Sequence, residues 1–355
     1  ARLVVAAPGS TFKAGIILKS GTHLIIPLDN IKHDKGLYST TKGFTASLEE
    51  IDPSENYIGT ELEGLDAYQR QLKRFDIKVS GRDSDCVSKF FSSTDSAALF
   101  PEYISRAVAQ GMEENDVLSK VVATTTIIDS LDYRSVQLAT DKADKELAAV
   151  GEGALIPQTE IKTNDNLTKL HKRGRMLVAS YEAIKYQKLD LFTLIMKQLG
   201  AHIATSQYVD AIETILYGST NIMSAKKNPP TYSDLVEMWL ELSPYKMTTV
   251  VAASDQYKAI MNMAEFKDSN AGLNFHATGK LITPLGADLL KYDDMPDNSI
   301  FVLDKNAAVE KVQAGGVVTE YDKLIDRQLE RASITVTTGF SLLDEKATLG
   351  CSFGE

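Results

Sequence analysis

Between Val150 and Gly218 three kinds of local pattern follow one another without a break, and together they restrict the folds open to this chain. A Gly-rich turn, Val150-Gly-Glu-Gly-Ala-Leu-Ile-Pro157, comes first, and a basic, β-like segment from Leu167 to Ser180 follows. Last comes a run in which Leu191, Leu194, Ile195, Leu199, Ile203, Val209, Ile212 and Leu216 recur near helical spacing, with Asp190 as N-cap and Tyr217-Gly218 as the stop. At 1.5 Å per residue the predicted helix is roughly 40 Å long, more than most globular domains need.

Composition sets the outer bounds. With 355 residues, 43% hydrophobic and 24% charged, the chain has the make-up of an ordinary folded protein of two or three domains. No apolar run approaches the ~20 residues a bilayer needs. The opening Ala1-Arg-Leu-Val-Val-Ala-Ala7 lacks the charged start and long apolar middle of a secretion signal, so a cytoplasmic setting without a membrane is expected. Cys86 and Cys351 stand far apart with no second ligand at metal spacing, which argues for two small buried hydrophobes rather than a disulfide or zinc site. A net charge of −10 argues against tight sequence-independent nucleic-acid binding, which is driven by Lys and Arg replacing counterions on phosphate.

Ile16-Ile-Leu18 and Leu24-Ile-Ile26 flank Lys19-Ser-Gly-Thr22 in the manner of a β-hairpin. From Gly43 to Gln69 there is no Lys or Arg, while Glu49, Glu50, Asp52, Glu55, Glu61, Glu63 and Asp66 supply one sign of charge. A solvated acidic loop feeding a helix is preferred here over a partner-binding acidic strip. Thr60 and Glu63 have capping-box spacing for that helix, with Leu62, Leu65, Leu72 and Phe75 near one face. Ser84–Phe91 and Asp95–Met112 read as further helices, the second broken or tilted by Pro101. Residues 129–166 are polar, small and charged, with Asp141, Lys142, Asp144, Lys145 and Glu146 at their middle; such a segment cannot bury itself in its own domain. It is either a mobile surface loop or an arm ordered by lying across a neighbour. Later, Thr231 and Asp234 give a capping signal for a helix carrying Leu235, Met238, Trp239 and Leu242. Thr248–Ala253 is a continuous apolar strand, Ser254 caps another helix, and Leu281-Ile282 and Ile300–Leu303 suggest an α/β layer. At the end, Ile334, Val336, Ala347, Leu349, Cys351 and Phe353 alternate with small or polar residues as strands do.

The order of Gly-rich turn, strand, spine-like helix and Gly stop resembles the Hong Kong 97-type major capsid protein of tailed bacteriophages, whose extended loop returns through a similar Gly-Glu-Gly-x-x-x-Pro passage. Leu99-Phe-Pro-Glu-Tyr-Ile-Ser-Arg-Ala-Val108, leading into the apolar stretch Val117–Ile128, resembles the start of that family's N-terminal arm, so the match runs from near Leu99 onward. The resemblance implies an α+β, HK97-like capsid fold. Its parts would be a β-rich N-terminal extension (1–60), an arm region with short helices (61–128), an extended loop (129–166), a peripheral domain with the spine helix (167–218 and 310–340) and an axial domain (219–309 and 341–355). It tips residues 129–166 toward the arm.

The implied role is structural: hexamers and pentamers building an icosahedral head in the host bacterial cytoplasm, enclosing double-stranded DNA non-specifically, with portal, scaffolding protease and decoration proteins as further partners. The cluster Lys169, His171, Lys172, Arg173 and Arg175 has a solvated strand face as its bland reading. The resemblance implies instead that Lys169, Lys172, Arg173 and Arg175 meet an acidic element of an adjacent subunit, and that Asp141, Lys142, Asp144, Lys145, Glu146 and Glu152 also make intersubunit contacts. An encapsulin-like compartment enclosing a cargo enzyme shares the fold; the long region before Leu99 favours the phage head.

Catalytic readings fare worse. Gly350-Cys-Ser-Phe-Gly354 fits the Gly-x-Ser-x-Gly elbow, yet only Glu355 follows where an acid and a base are required, which disfavours a serine hydrolase acting through Ser352. Gly151-Glu-Gly153 lacks the third glycine of a dinucleotide loop and sets a carboxylate where phosphate would come. The five histidines show no paired metal spacing. No catalytic residue, cofactor or metal is expected. Some relatives weld subunits through a Lys–Asn isopeptide bond promoted by a buried Glu. Lys142 and Lys145 are candidate amines, but Thr335-Val-Thr-Thr-Gly339 holds no acid or Asn, so non-covalent assembly is expected.

Overall fold

The computed structural model describes residues 31, 33, 38, 43–137, 149, 152, 162–164, 167–267, 285–324 and 326–354. The expected hairpin at residues 16–26, the strand at 281–282 and most of the segment 129–166 lie outside them. In chain order the helices are α1 (Phe44–Ile51), α2 (Ala67–Arg74), α3 (Thr94–Ala97), α4 (Phe100–Glu114), α5 (Tyr181–Tyr186), α6 (Leu189–Gly218), α7 (Tyr232–Glu241), α8 (Ser254–Met261) and α9 (Ala264–Lys267). The strands are β1 (Val122–Ile128), β2 (Val136–Gln137), β3 (Lys162–Thr163), β4 (Leu170–Ser180), β5 (Lys226–Lys227), β6 (Thr249–Ala252), β7 (Asp288–Lys291), β8 (Ser299–Leu303), β9 (Val309–Ala314), β10 (Val318–Leu324), β11 (Leu329–Leu342) and β12 (Thr348–Gly354). This is an α+β chain. Its described residues form two compact units, one within 1–114, 174–202 and 317–335, the other within 115–173, 203–316 and 336–355. Among them no helix is long and apolar enough to cross a membrane.

The first unit is organised by rings and by one close helix crossing. Phe100 lies 5.4 Å from Phe90, 5.9 Å from Phe192 and 5.6 Å from Tyr321, tying α4 to α6 and to the β10–β11 hairpin, which pairs Val318 with Thr335 through Leu324 with Leu329. Where α4 passes α6 both backbones need glycine: a Cβ on Gly111 would stand 2.2 Å from the Lys197 carbonyl oxygen, and one on Gly200 2.2 Å from that of Val108. Helix propensity alone favours alanine by about 1 kcal/mol. Overlap with backbone outweighs it, so Gly111→Ala is expected to destabilise by about 1–3 kcal/mol or more. A denaturant titration showing the variant as stable as its parent would mean that the helices do not meet there.

Several local expectations change on folding. The helix before Phe75 starts at Ala67, not after Thr60, because Gly64 takes φ +80° and Asp66 forms a reciprocal capping box with Gln69; Glu63 instead accepts from the Gly59 N–H at 2.8 Å. Helix α6 starts at Leu189, whose N–H donates to the Asp85 carbonyl at 2.8 Å, so Asp190 sits inside the first turn, favourable to the helix dipole but not its cap. Leu191, Leu194 and Ile195 are exposed, while Leu189, Met196 and Leu199 are buried. Cys86 is half-buried rather than a core residue.

The second unit holds a five-stranded sheet in the order β5-β12-β8-β6-β7. Val251, Phe301 and Leu303 join a core with Tyr208, Ala211, Ile212 and Ile215 of α6. Val250, Ala252, Ile300, Val302, Leu349 and Cys351 join another with Leu235 and Met238 of α7 and Ile260 of α8. Both sheet faces are covered, which is why Thr249–Ala252 reads as an unbroken buried run. A separate ladder pairs β1 with β9 in parallel and β9 with the end of β11 antiparallel. The capping box at Thr231 and Asp234 forms as expected, but Trp239 is exposed. Ser254 is the first residue of α8 rather than its cap, and its hydroxyl donates to Asp293 at 2.5 Å. Ser352 lies within β12 opposite Ser299, so Gly350–Gly354 forms a strand and not a nucleophile elbow.

Candidate assembly interface

The long polar segment leaves and re-enters the second unit at a narrow root. Its outgoing limb follows β1 through Tyr133 and Ser135 to β2; its returning limb is β3, Thr168 and β4. The limbs are laced together: Val136 and Gln137 pair with Thr163 and Lys162, the Asn164 N–H donates to the Ser135 carbonyl at 2.7 Å, and the Thr168 N–H donates to that of Tyr133 at 2.8 Å.

Glu310 of β9 locks this root. Its side chain is in a residue only 4% exposed, and its oxygens accept from the hydroxyls of Thr126, Ser135 and, at 2.8 Å, Tyr133. Among the described residues no cation pairs with it, and a buried carboxyl group is tolerable when its lone pairs are filled in this way. Burial, and then the nearby carboxylate, raises the Tyr133 phenol above its ordinary value, so it stays a donor further into alkaline solution than a free phenol does. Sequence reasoning did not single Glu310 out, because Val309-Glu-Lys-Val312 looks like a strand with its charges turned to water. Glu310→Gln keeps the shape but leaves one acceptor oxygen where there were two. It is expected to cost about 1–3 kcal/mol at the root, seen as faster amide exchange at Asn164 and Thr168 with α4 unchanged. Equal protection in both proteins would show that the carboxylate does not hold the root.

The basic strand divides by partner. Arg173, half-exposed, grips Asp210 of α6 through two nitrogens, Nε at 2.7 Å and Nη2 closer still, and donating to the Asp210 carboxylate raises its pKa further. Arg173 therefore has an intrachain role that its place in the basic run does not reveal. Lys169, His171, Lys172 and Arg175 are exposed and, among the described residues, make no ion pair. Glu152 is exposed in a turn. Asp141, Lys142, Asp144, Lys145 and Glu146 lie outside the described residues. No group of His, Cys, Asp and Glu among the described residues is arranged to hold a metal ion.

A family model described as phage capsid protein matches residues 164–347, a little over half of the chain. No curated protein sequence matches. Among solved structures, the chain is similar to the capsid of a native GTA particle (14% identity, TM-score 0.49, covering 70% of this chain and 91% of that one). It is also similar to the mature capsid of bacteriophage PhiM1 (10%, 0.45, 68% and 88%) and to the holo-SrpI encapsulin complex of Synechococcus elongatus PCC 7942 (14%, 0.44, 65% and 84%).

Proposed function

Since this chain belongs to the phage capsid protein family, we propose that it is the main shell subunit of a Hong Kong 97-type phage head, assembling with copies of itself as hexamers and pentamers around DNA. The family match across 164–347 carries this reading, because it takes in the basic strand, the long helix and the strands from β5 to β11. In the proposed division, residues 167–218 and 310–340 serve as the peripheral domain and residues 219–309 and 341–355 as the axial one, with 129–166 reaching a neighbour. The function is association, not catalysis, and weak contacts suffice when each subunit makes many of them. DNA is enclosed without base contacts, and portal, protease and decoration proteins would complete the head in the host cytoplasm.

Light scattering and electron microscopy of the purified chain are expected to reveal closed shells or capsomer rings that dissolve to monomer bands on a denaturing gel. A monomer stable across concentration and ionic strength would overturn the reading. Shells filled with a cargo enzyme instead of DNA would convert it to an encapsulin.

A further inference from the structure

We propose that the acidic segment 49–63 of one copy docks on the basic segment 167–172 of a second copy; the inference rests on the shell reading above.

The acidic segment is a built surface and not a loose loop. Arg70, fully buried, draws it inward: Nε donates to Asp52 at 2.9 Å, Nη1 to the Ser54 hydroxyl at 2.8 Å and the Leu65 carbonyl at 2.6 Å, and Nη2 to Glu49 at 3.3 Å and the Asp52 carbonyl. The guanidinium also lies 4.4 Å from the Tyr57 ring centre. This one cation engages Asp52 and Glu49 and fixes the backbone that carries the remaining acids. Glu55, Glu61 and Glu63 are left exposed beside Ile58, itself 65% exposed, and no Lys or Arg between Gly43 and Gln69 neutralises them. Lys73, just beyond, reaches only the Glu61 carbonyl among the described residues, at 3.4 Å.

The basic segment has the opposite character. Lys169, His171 and Lys172 stand exposed beside Leu167, 52% exposed, while Arg173 is held by Asp210. Each face thus has an exposed aliphatic residue among charges of a single sign, the mixture of apolar centre and polar rim that association surfaces use. The chain carries a net charge of −10, so copies repel one another in bulk. A local positive strand facing a local negative surface sets register and encounter rate against that background.

Charge reversal tests the pairing. Lys169→Glu with Lys172→Glu, and separately Glu55→Lys with Glu61→Lys, are each expected to reduce the assembled fraction at least about tenfold without changing the melting curve. All four together should restore assembly. In the unmodified shells a zero-length carbodiimide should couple Lys169 or Lys172 to Glu55, Glu61 or Glu63, read by mass spectrometry. Failure of the fourfold variant to recover, or coupling of those lysines to Asp141, Asp144 or Glu146, would overturn the pairing and, in the second case, seat the arm on the strand. Normal shells from the reversed variants would sink the docking while leaving the shell reading intact.

Discussion

Removing Ala139 to Ala149 is expected to leave the body of the protein folded and to abolish regular shells. The deleted stretch, Ala-Thr-Asp-Lys-Ala-Asp-Lys-Glu-Leu-Ala-Ala, contains one large apolar residue, Leu147, so little core burial is at stake. Shortening a loop of this kind changes its closure entropy by only about 1 kcal/mol or less. The root remains, since the β2–β3 pairing and the hydroxyls around Glu310 all lie outside the deletion. Assembly differs because every subunit loses the same contact at once, and a lattice multiplies the loss. Circular dichroism and thermal melting report on the fold, and electron microscopy reports on the particle. Normal shells would remove the segment from the assembly mechanism, and a collapsed melting curve would place it in a core.

The second large effect belongs to Arg70. Replacing a buried guanidinium with the apolar Arg70→Met strands the carboxylate of Asp52, which is itself 6% exposed, and takes a donor away from the carbonyls of Asp52 and Leu65. Breaking a buried ion pair from one side costs about 3–5 kcal/mol, enough to release the acidic segment. Limited proteolysis should then cut within residues 43–66, while the ring cluster around Phe100 keeps its near-ultraviolet signal. Adding Asp52→Asn should recover part of the loss, because the stranded charge is gone and the amide still accepts from Tyr57, whose hydroxyl now donates to Asp52 at 2.6 Å. An unchanged proteolytic pattern in Arg70→Met would show that the segment folds without its cation. By the docking argument, the same variant should also assemble poorly.

Elements with a strong period were legible from residue order. The long helix ends at Gly218 as its pattern requires, Thr231 and Asp234 cap α7, Thr249–Ala252 is a buried strand, and Ile334, Val336, Leu349, Cys351 and Phe353 alternate inward. Each of these signals resides in neighbours a few positions apart, where side-chain direction follows directly from helical or strand geometry. The first turns of α6 show the boundary of such reasoning. Leu191, Leu194 and Ile195 have helical spacing and face water, whereas Leu189 and Met196 are buried, because apolar residues surround that part of the helix and periodicity cannot choose among its faces.

The candidate interface was legible in outline and opaque in its pairings. A polar segment too poor in apolar residues to bury itself, flanked by a basic strand, is visible in the amino-acid order. That Arg173 grips Asp210 while Lys172 beside it stays exposed, that Glu310 is the lock of the root, and that Arg70 gathers the acidic segment depends on residues brought together from distant parts of the chain. So does the crossing that demands Gly111 and Gly200. Local order specifies which residues prefer helix, strand or turn, since those preferences are properties of a few adjacent bonds. Which charge is buried, which is paired and which is left for a partner follows from desolvation and distance, and neither is defined until the chain has closed on itself.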